Sequence, residues 1–169
     1  RYRDKPAYDS IIQGAGGMAA LNHRAIGEPR FVPMVVADKV VGLTAVQLIV
    51  MALYRRTQTG TGCAIEIPMF ENLVKFVLEE HMYLSTFEPP LGPAGYHRLL
   101  TPERRPYKTK DGYVCALPYT DRHWQRFFEL IARADLKADP RFANMSTRTR
   151  HIQELYRIVV DAMARKTTA

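Results

Sequence analysis

The stretch "PMVVADKVVGL", residues 33–43, carries one acidic residue, Asp38, inside a nearly unbroken apolar run. An ionised carboxylate is seldom held among apolar side chains without a partner or a purpose. The wider segment "FVPMVVA", 31–37, reads as a short buried strand or extended piece. From about Lys39 to Arg56 the pattern is helical, with Val40, Val41, Leu43, Val46, Leu48, Ile49, Val50 and Leu53 spread nearly all round the wheel. Such a helix is expected to be buried on most sides. Asp38 thus stands where a strand gives way to a helix, and two roles fit that place. Asp is a favoured N-cap, because its oxygen accepts a main-chain N–H of the first turn. The same helix end favours an ionised carboxylate, and a carboxylate kept ionised at the edge of an apolar pocket is a candidate nucleophile. Pattern alone leaves both roles open.

Working outward, "TGTG" at 59–62 is a helix stop and turn. "CAIEIPMF" at 63–70 then alternates like a strand that Pro68 closes. From Met69 to Phe87 the spacing of Phe70, Leu73, Val74, Val77, Leu78 and Met82 predicts a helix. Helix, strand and helix in that order point to α/β layering. The proline-rich stretch 88–106 is the best domain boundary, which gives a first part over 1–95 and a second over 96–169. In the second part "RPYKT" and "YVCAL" flank the turn pair Asp111-Gly112, a hairpin signal. A helix after Asp121 would set Trp124, Phe127, Phe128 and Ile131 on a core face. A last helix after Ser146 carries the stripe Ile152, Leu155, Tyr156, Val159 and Met163. The second part therefore reads as a small α+β unit.

The chain has 169 residues and is 47% hydrophobic, so a sizeable core is within reach. Its net charge is +7, which suits a ligand carrying several phosphates. The basic residues are scattered and lack interleaved aromatics, so no nucleic-acid partner is expected. The apolar run from Val40 to Leu53 is shorter than the roughly 20 residues of a membrane span, and no membrane partner is expected either. Cys63 and Cys115 lie far apart and read as small core residues in a reducing, cytoplasmic setting. The five histidines form no metal-ligand spacing, so no metal is expected. The chain begins at Arg1 and ends just past a helical pattern, and we expect it to be a piece of a longer protein.

"GAGGMA" at 14–19, with Asp38 about 20 residues on, has the spacing of a dinucleotide-binding fingerprint and would make an NAD-dependent oxidoreductase. That motif must follow a buried strand, yet "YDSIIQ" is half polar. The plainer alternative is a helix-to-loop turn that needs small residues.

The motifs join in one resemblance. "DKPAYDSIIQGAGGMAAL" and "VPMVVADKVVGLTAVQLIVMALYRRTQTGTGCAIEIPMFENL" closely resemble the family III CoA-transferases, the CaiB/BaiF-like group of formyl-CoA:oxalate and carnitine CoA-transferases. Pro-Ala-Tyr-Asp, Gln-x-x-x-Gly, the Ala-Asp ahead of a long apolar helix and the "TGTG" turn match in order and spacing. Family members are longer, and neither their first nor their last part has a counterpart here. The resemblance implies part of a Rossmann-like large domain followed by a small α+β domain, and an interlocked homodimer in the full-length protein. It implies that Asp38 is the catalytic aspartate. Ala7, Tyr8 and Asp9 match a stretch lying along coenzyme A, and Met69 matches a position near the thioester. The implied substrates are an acyl-CoA and a carboxylic acid, exchanged through aspartyl anhydride and aspartyl-CoA intermediates. Main-chain N–H groups at the helix start would hold the oxyanion. The related α-methylacyl-CoA racemases use a histidine where this chain resembles them with Tyr8, so a proton-shuttling pair lacks its partner here.

Overall fold

The computed structural model describes residues 5–169. The chain divides into two compact units, Arg1–Tyr96 and His97–Ala169, each described by itself. The first unit is helical: α1 (Asp9–Ala15), α2 (Met18–Ile26), α3 (Val36–Thr59) and α4 (Met69–His81), with a 3₁₀ turn over Tyr83–Thr86.

Glycine sets three of these boundaries. Gly17 (φ +91°) turns the chain from α1 into α2. Gly27 and Gly60 end α2 and α3 in the left-handed conformation, each donating its N–H to the carbonyl four residues back, His23 and Arg56. "GAGGMA" is therefore the turn between two helices. Helix α1 occupies the place of the strand that a dinucleotide site needs.

Neither strand expected in this unit forms among the described residues. Residues 31–35 turn instead of pairing. The Met34 N–H donates to Val32 O at 2.7 Å and the Val36 N–H to Met34 O at 2.8 Å. Val35 (φ −75°, ψ 68°) is the centre of an inverse γ-turn. Residues 61–68 have alternating side chains but no neighbouring strand among the described residues to bond, so they form no ladder there.

The core of the unit gathers Ile12, Ala37, Leu73 and Val77, with Met18, Leu21, Val40, Met69 and Phe70 packed against it. Helix α3 lays one stripe on α1 and α4: Ala37 buried, with Val36, Val40, Val41, Thr44, Ala45 and Leu48 half-buried. Its other face is bare, contrary to the all-round burial expected. Leu43 is 68% exposed, and Val46, Val50, Met51 and Tyr54 are likewise exposed. At 24 residues α3 also runs beyond the Val40–Leu53 window at both ends, and by length and composition alone it is enough to cross a membrane.

The second unit packs α5 (Asp121–Leu130), α6 (Met145–Arg150) and α7 (Ile152–Met163) with the hairpin β1 (Tyr107–Lys108) and β2 (Tyr113–Val114). The register pairs Tyr107 with Val114 and Lys108 with Tyr113, around the expected Asp111-Gly112 turn. Trp124, Phe127 and Phe128 meet Phe142, Ile152, Leu155, Tyr156 and Val159 in one core. Thr120 caps α5, accepting from the His123 N–H at 3.2 Å. The expected single last helix breaks at His151, where α6 ends and α7 begins. The buried Arg148 guanidinium donates to Phe142 O at 2.9 Å and pairs with Asp121. Both cysteines are exposed rather than core residues. Cys115 points outward between half-buried Val114 and Ala116, and Cys63 lies on the unpaired 61–68 segment.

His81 closes α4 and holds the segment 94–96. Its Nδ1 accepts from the Tyr96 N–H at 3.2 Å, and its carbonyl accepts from the Gly95 N–H at 2.8 Å. Burial, with Arg24 adding to it against Glu80, holds the imidazole below its ordinary 6.5. A depressed histidine stabilises the fold above 6.5, and that stability is lost as pH falls from 6.5 through its folded-state value. The melting temperature should therefore drop on going from pH 7 to pH 5, with a smaller drop in His81→Asn, whose amide oxygen takes the place of Nδ1 and accepts the same N–H without titrating. Thermal melts of both proteins across that range check it.

Candidate functional site around Asp38

Asp38 is the third residue of α3, not its N-cap. Val35 holds the cap position, and its side chain cannot accept a hydrogen bond. The cap comes from far away in sequence. Asp9, the first residue of α1, accepts from the Ala37 N–H at 2.7 Å and, on the same oxygen, from the Asp38 N–H at 3.4 Å. The Val36 N–H is satisfied by Met34 O. All three leading donors of α3 are therefore engaged. The oxyanion site expected at this helix start is not free, because Asp9 occupies it.

Gln13 completes the arrangement. One turn along α1 from Asp9, it is only 1% exposed. Its Nε2 donates to Asp9 Oδ2 at 2.6 Å and to Met34 O at 3.1 Å, while its Oε1 accepts from the Val32 N–H at 2.8 Å. The Asp9 carboxylate can only accept and the Val32 N–H can only donate, so these neighbours fix which way the amide points. One amide thus ties α1, the 31–35 turn and the cap of α3 together. Gln13 stood in the Gln-x-x-x-Gly element, but only its spacing of four from Asp9 signalled a structural partner there.

The other predicted residues fall as follows. Asp38 is exposed, and among the described residues no side-chain hydrogen bond or ion pair engages its carboxylate. Tyr8 is the N-cap of α1 and is 74% exposed, with Ala7 exposed before it. Met69, the first residue of α4, is half-buried against the core that contains Ala37. Asp9 and Asp38 meet through the shared cap bond, and Met69 reaches the same core. Ala7 and Tyr8 lie on the surface where the chain enters α1. Chemically, the site offers an uncommitted carboxylate on a helix turn whose main chain is pinned from below.

The description CoA-transferase family III matches residues 1–169, and the chain belongs to that family. It is 26% identical over 173 residues to a "probable fatty acyl-CoA transferase" of Mycobacterium tuberculosis, covering 96% of this chain and 44% of that one. It is 26% identical to the succinyl-CoA:mesaconate CoA-transferase of Haloarcula hispanica, covering 93% of this chain and 39% of that one. A crystal structure of the M. tuberculosis protein superposes with a TM-score of 0.74 at 23% identity, over 99% of this chain and 44% of that one. A CaiB/BaiF family protein of Brucella suis superposes with a TM-score of 0.66 at 25% identity. The chain spans less than half the length of these relatives.

The clamp makes a direct prediction. Gln13→Ala removes the acceptor of the Val32 N–H and one support of Asp9. Amide hydrogen exchange at Val32 should accelerate by at least about tenfold, with a stability loss of about 1–3 kcal/mol for the buried groups left unpaired. Exchange monitored by mass spectrometry, with a denaturant melt alongside, measures both.

Proposed function

We propose that the full-length protein carrying this chain moves coenzyme A from an acyl-CoA thioester to a carboxylic acid, with Asp38 as the nucleophile. The observation that carries this reading is the exposed, uncommitted carboxylate of Asp38 on a pinned helix turn, in a chain of this family. Relatives named as succinyl-CoA:mesaconate and succinate–glutarate CoA-transferases support the acyl-CoA and carboxylate substrate classes.

The chemistry balances. One Asp38 oxygen attacks the thioester carbonyl, the C–S bond breaks, and a mixed anhydride and CoA thiolate result. The thiolate attacks the aspartyl carbonyl and releases the first acid, which leaves an aspartyl-CoA thioester. The acceptor carboxylate attacks that thioester and forms a second anhydride, expelling the thiolate again. The thiolate then takes the acceptor acyl group, and the Asp38 carboxylate is regenerated. No water enters, so the thioester energy is kept. Dividing the exchange this way replaces one hard step with easier ones. The +7 charge fits a ligand with several phosphates. In this reading Ala7, Tyr8 and Asp9 lie beside CoA and Met69 near the thioester. The Asp9 carboxylate is bonded inward, so Asp9 would meet CoA through its main chain. The first unit then belongs to a Rossmann-like large domain of an interlocked homodimer, and the two free thiols suit a reducing, cytoplasmic setting.

Tyr8 distinguishes this reading from racemase chemistry. A phenol is a poor substitute for imidazole in a proton shuttle. Asn is nearly the size of Asp and a poor nucleophile. Asp38→Asn in the full-length protein should abolish transfer, a loss of at least about 10³-fold, while CoA still binds. Turnover assays with an acyl-CoA panel, hydroxylamine trapping on the Asp38 peptide and calorimetric CoA binding check this. Near-normal turnover in Asp38→Asn sinks the assignment.

A further inference from the structure

We propose that Asp9 is a positioning residue for Asp38, and that Gln13 sets Asp9. This deepens the reading above and rests on Asp38 being the nucleophile.

A helix start can be capped by its own preceding residue, and Ser, Thr, Asp or Asn in place of Val35 would do so locally. Here an apolar residue holds that position and the cap is brought from α1. A distant cap does something that a local one cannot. It fixes the first turn of α3 relative to α1, not merely relative to itself. The Asp9 oxygen lies 2.7 Å from the main-chain nitrogen of Ala37 and 3.4 Å from that of Asp38. Any shift of Asp9 therefore moves the residue before Asp38 and the main chain of Asp38 itself. Ala37 is fully buried in the core, which removes the slack on the opposite side. Gln13 holds the other oxygen of Asp9 while gripping Val32 and Met34, so the approach to α3 moves with the cap. Asp38 is left with its side chain free of the capping duty that its sequence position suggested. The segment Ala7–Asp9, which our reading places along CoA, is thus wired to the nucleophile through one carboxylate. Ligand binding along that segment and the aim of Asp38 become two readouts of one hydrogen-bond chain.

The donor and acceptor pattern supplies a test with a built-in rescue. Asp9→Asn keeps an oxygen for the Ala37 N–H but turns an NH₂ toward the Gln13 NH₂. Gln13→Glu sets two carboxylates face to face while keeping an acceptor for the Val32 N–H. In the double variant the Asn NH₂ donates to the Glu carboxylate, which restores that bond in reverse and keeps the net charge. In the full-length protein each single change should lower kcat by about 10- to 100-fold, the scale of a misaimed reacting group, with KM for the acyl-CoA within about twofold. Formation of the hydroxylamine-trapped adduct should slow by the same factor. The double variant should recover part of the lost kcat, since it restores the bond between positions 9 and 13 but not the donor to Met34 O. Melting temperatures identify any single variant that unfolds, and recovery of folding together with kcat in the double variant still supports the pair. If Asp9→Asn and Gln13→Glu, both folded, keep kcat within twofold, the proposal is overturned. If kcat and CoA affinity fall together and the double variant recovers neither, it is overturned in favour of a direct CoA contact. Full turnover in Asp38→Asn is a separate result, which defeats the nucleophile reading and not the linkage of Asp9 to α3.

Discussion

The first unit depends on one carboxylate placed between two helices. Asp9 opens α1 and caps α3, and the hydrogen bond to Ala37 N at 2.7 Å is where the two helices are joined. A helix leaves its first N–H groups without intrahelical partners, and burying them unpaired costs about 1–3 kcal/mol each. Asp9 removes that cost for the buried Ala37, and the γ-turn at Val35 pairs the Val36 N–H. The bond also fixes direction. With Ala37 fully buried, the start of α3 can neither lift from the core nor rotate without breaking it. A buried polar network of this kind rigidifies only when every member is satisfied. Gln13 meets that condition, using both ends of its amide.

Much of this was legible in the chain, and what was not has a physical cause. Helices α4, α5 and α7 follow from apolar spacing, and the hairpin from Asp111-Gly112, because those signals are local. The core face of α5 was readable because Trp124, Phe127 and Phe128 repeat at helical spacing and all find cover within the second unit. The strands at 31–37 and 63–67 were misread, because alternation and apolar runs report suitability for a sheet, while a strand needs a neighbour. The cap on α3 was not legible for a related reason. Asp38 has the right residue type one turn from the helix start, but capping is settled by which oxygen reaches the N–H groups. Asp9 lies 28 residues from Ala37, beyond any local pattern.

Helix α3 shows the same limit from the other side. Its wheel is apolar nearly all round, which sets what it is able to bury. Within the described residues only the stripe from Ala37 along Val40, Val41 and Leu48 finds cover. The second unit, by contrast, closes a core on itself around Trp124, Phe128, Leu155 and Val159, each at most 1% exposed. Periodicity differs too: α5 and α7 carry one apolar face each, whereas α3 is apolar nearly all round. How much of α3 finds cover then depends on the elements it has to pack on, a property of the fold and not of the helix.

The division of labour between two aspartates then becomes intelligible. A carboxylate that caps its own helix accepts one or two N–H bonds, and those bonds occupy its lone pairs and restrict its rotamer. Both effects disfavour nucleophilic attack, which needs an available lone pair aimed at a carbonyl carbon. Assigning the cap to Asp9 removes them from Asp38 without giving up the pinned main chain that a precise attack requires. One aspartate carries the rigidity and the other keeps its reactivity. The arrangement also accounts for Val35: a polar cap there would compete with Asp9 for the same N–H groups and uncouple α3 from α1. The residue that looked least informative in "PMVVADKVVGL", Val35, is what hands the cap to Asp9 and leaves Asp38 free.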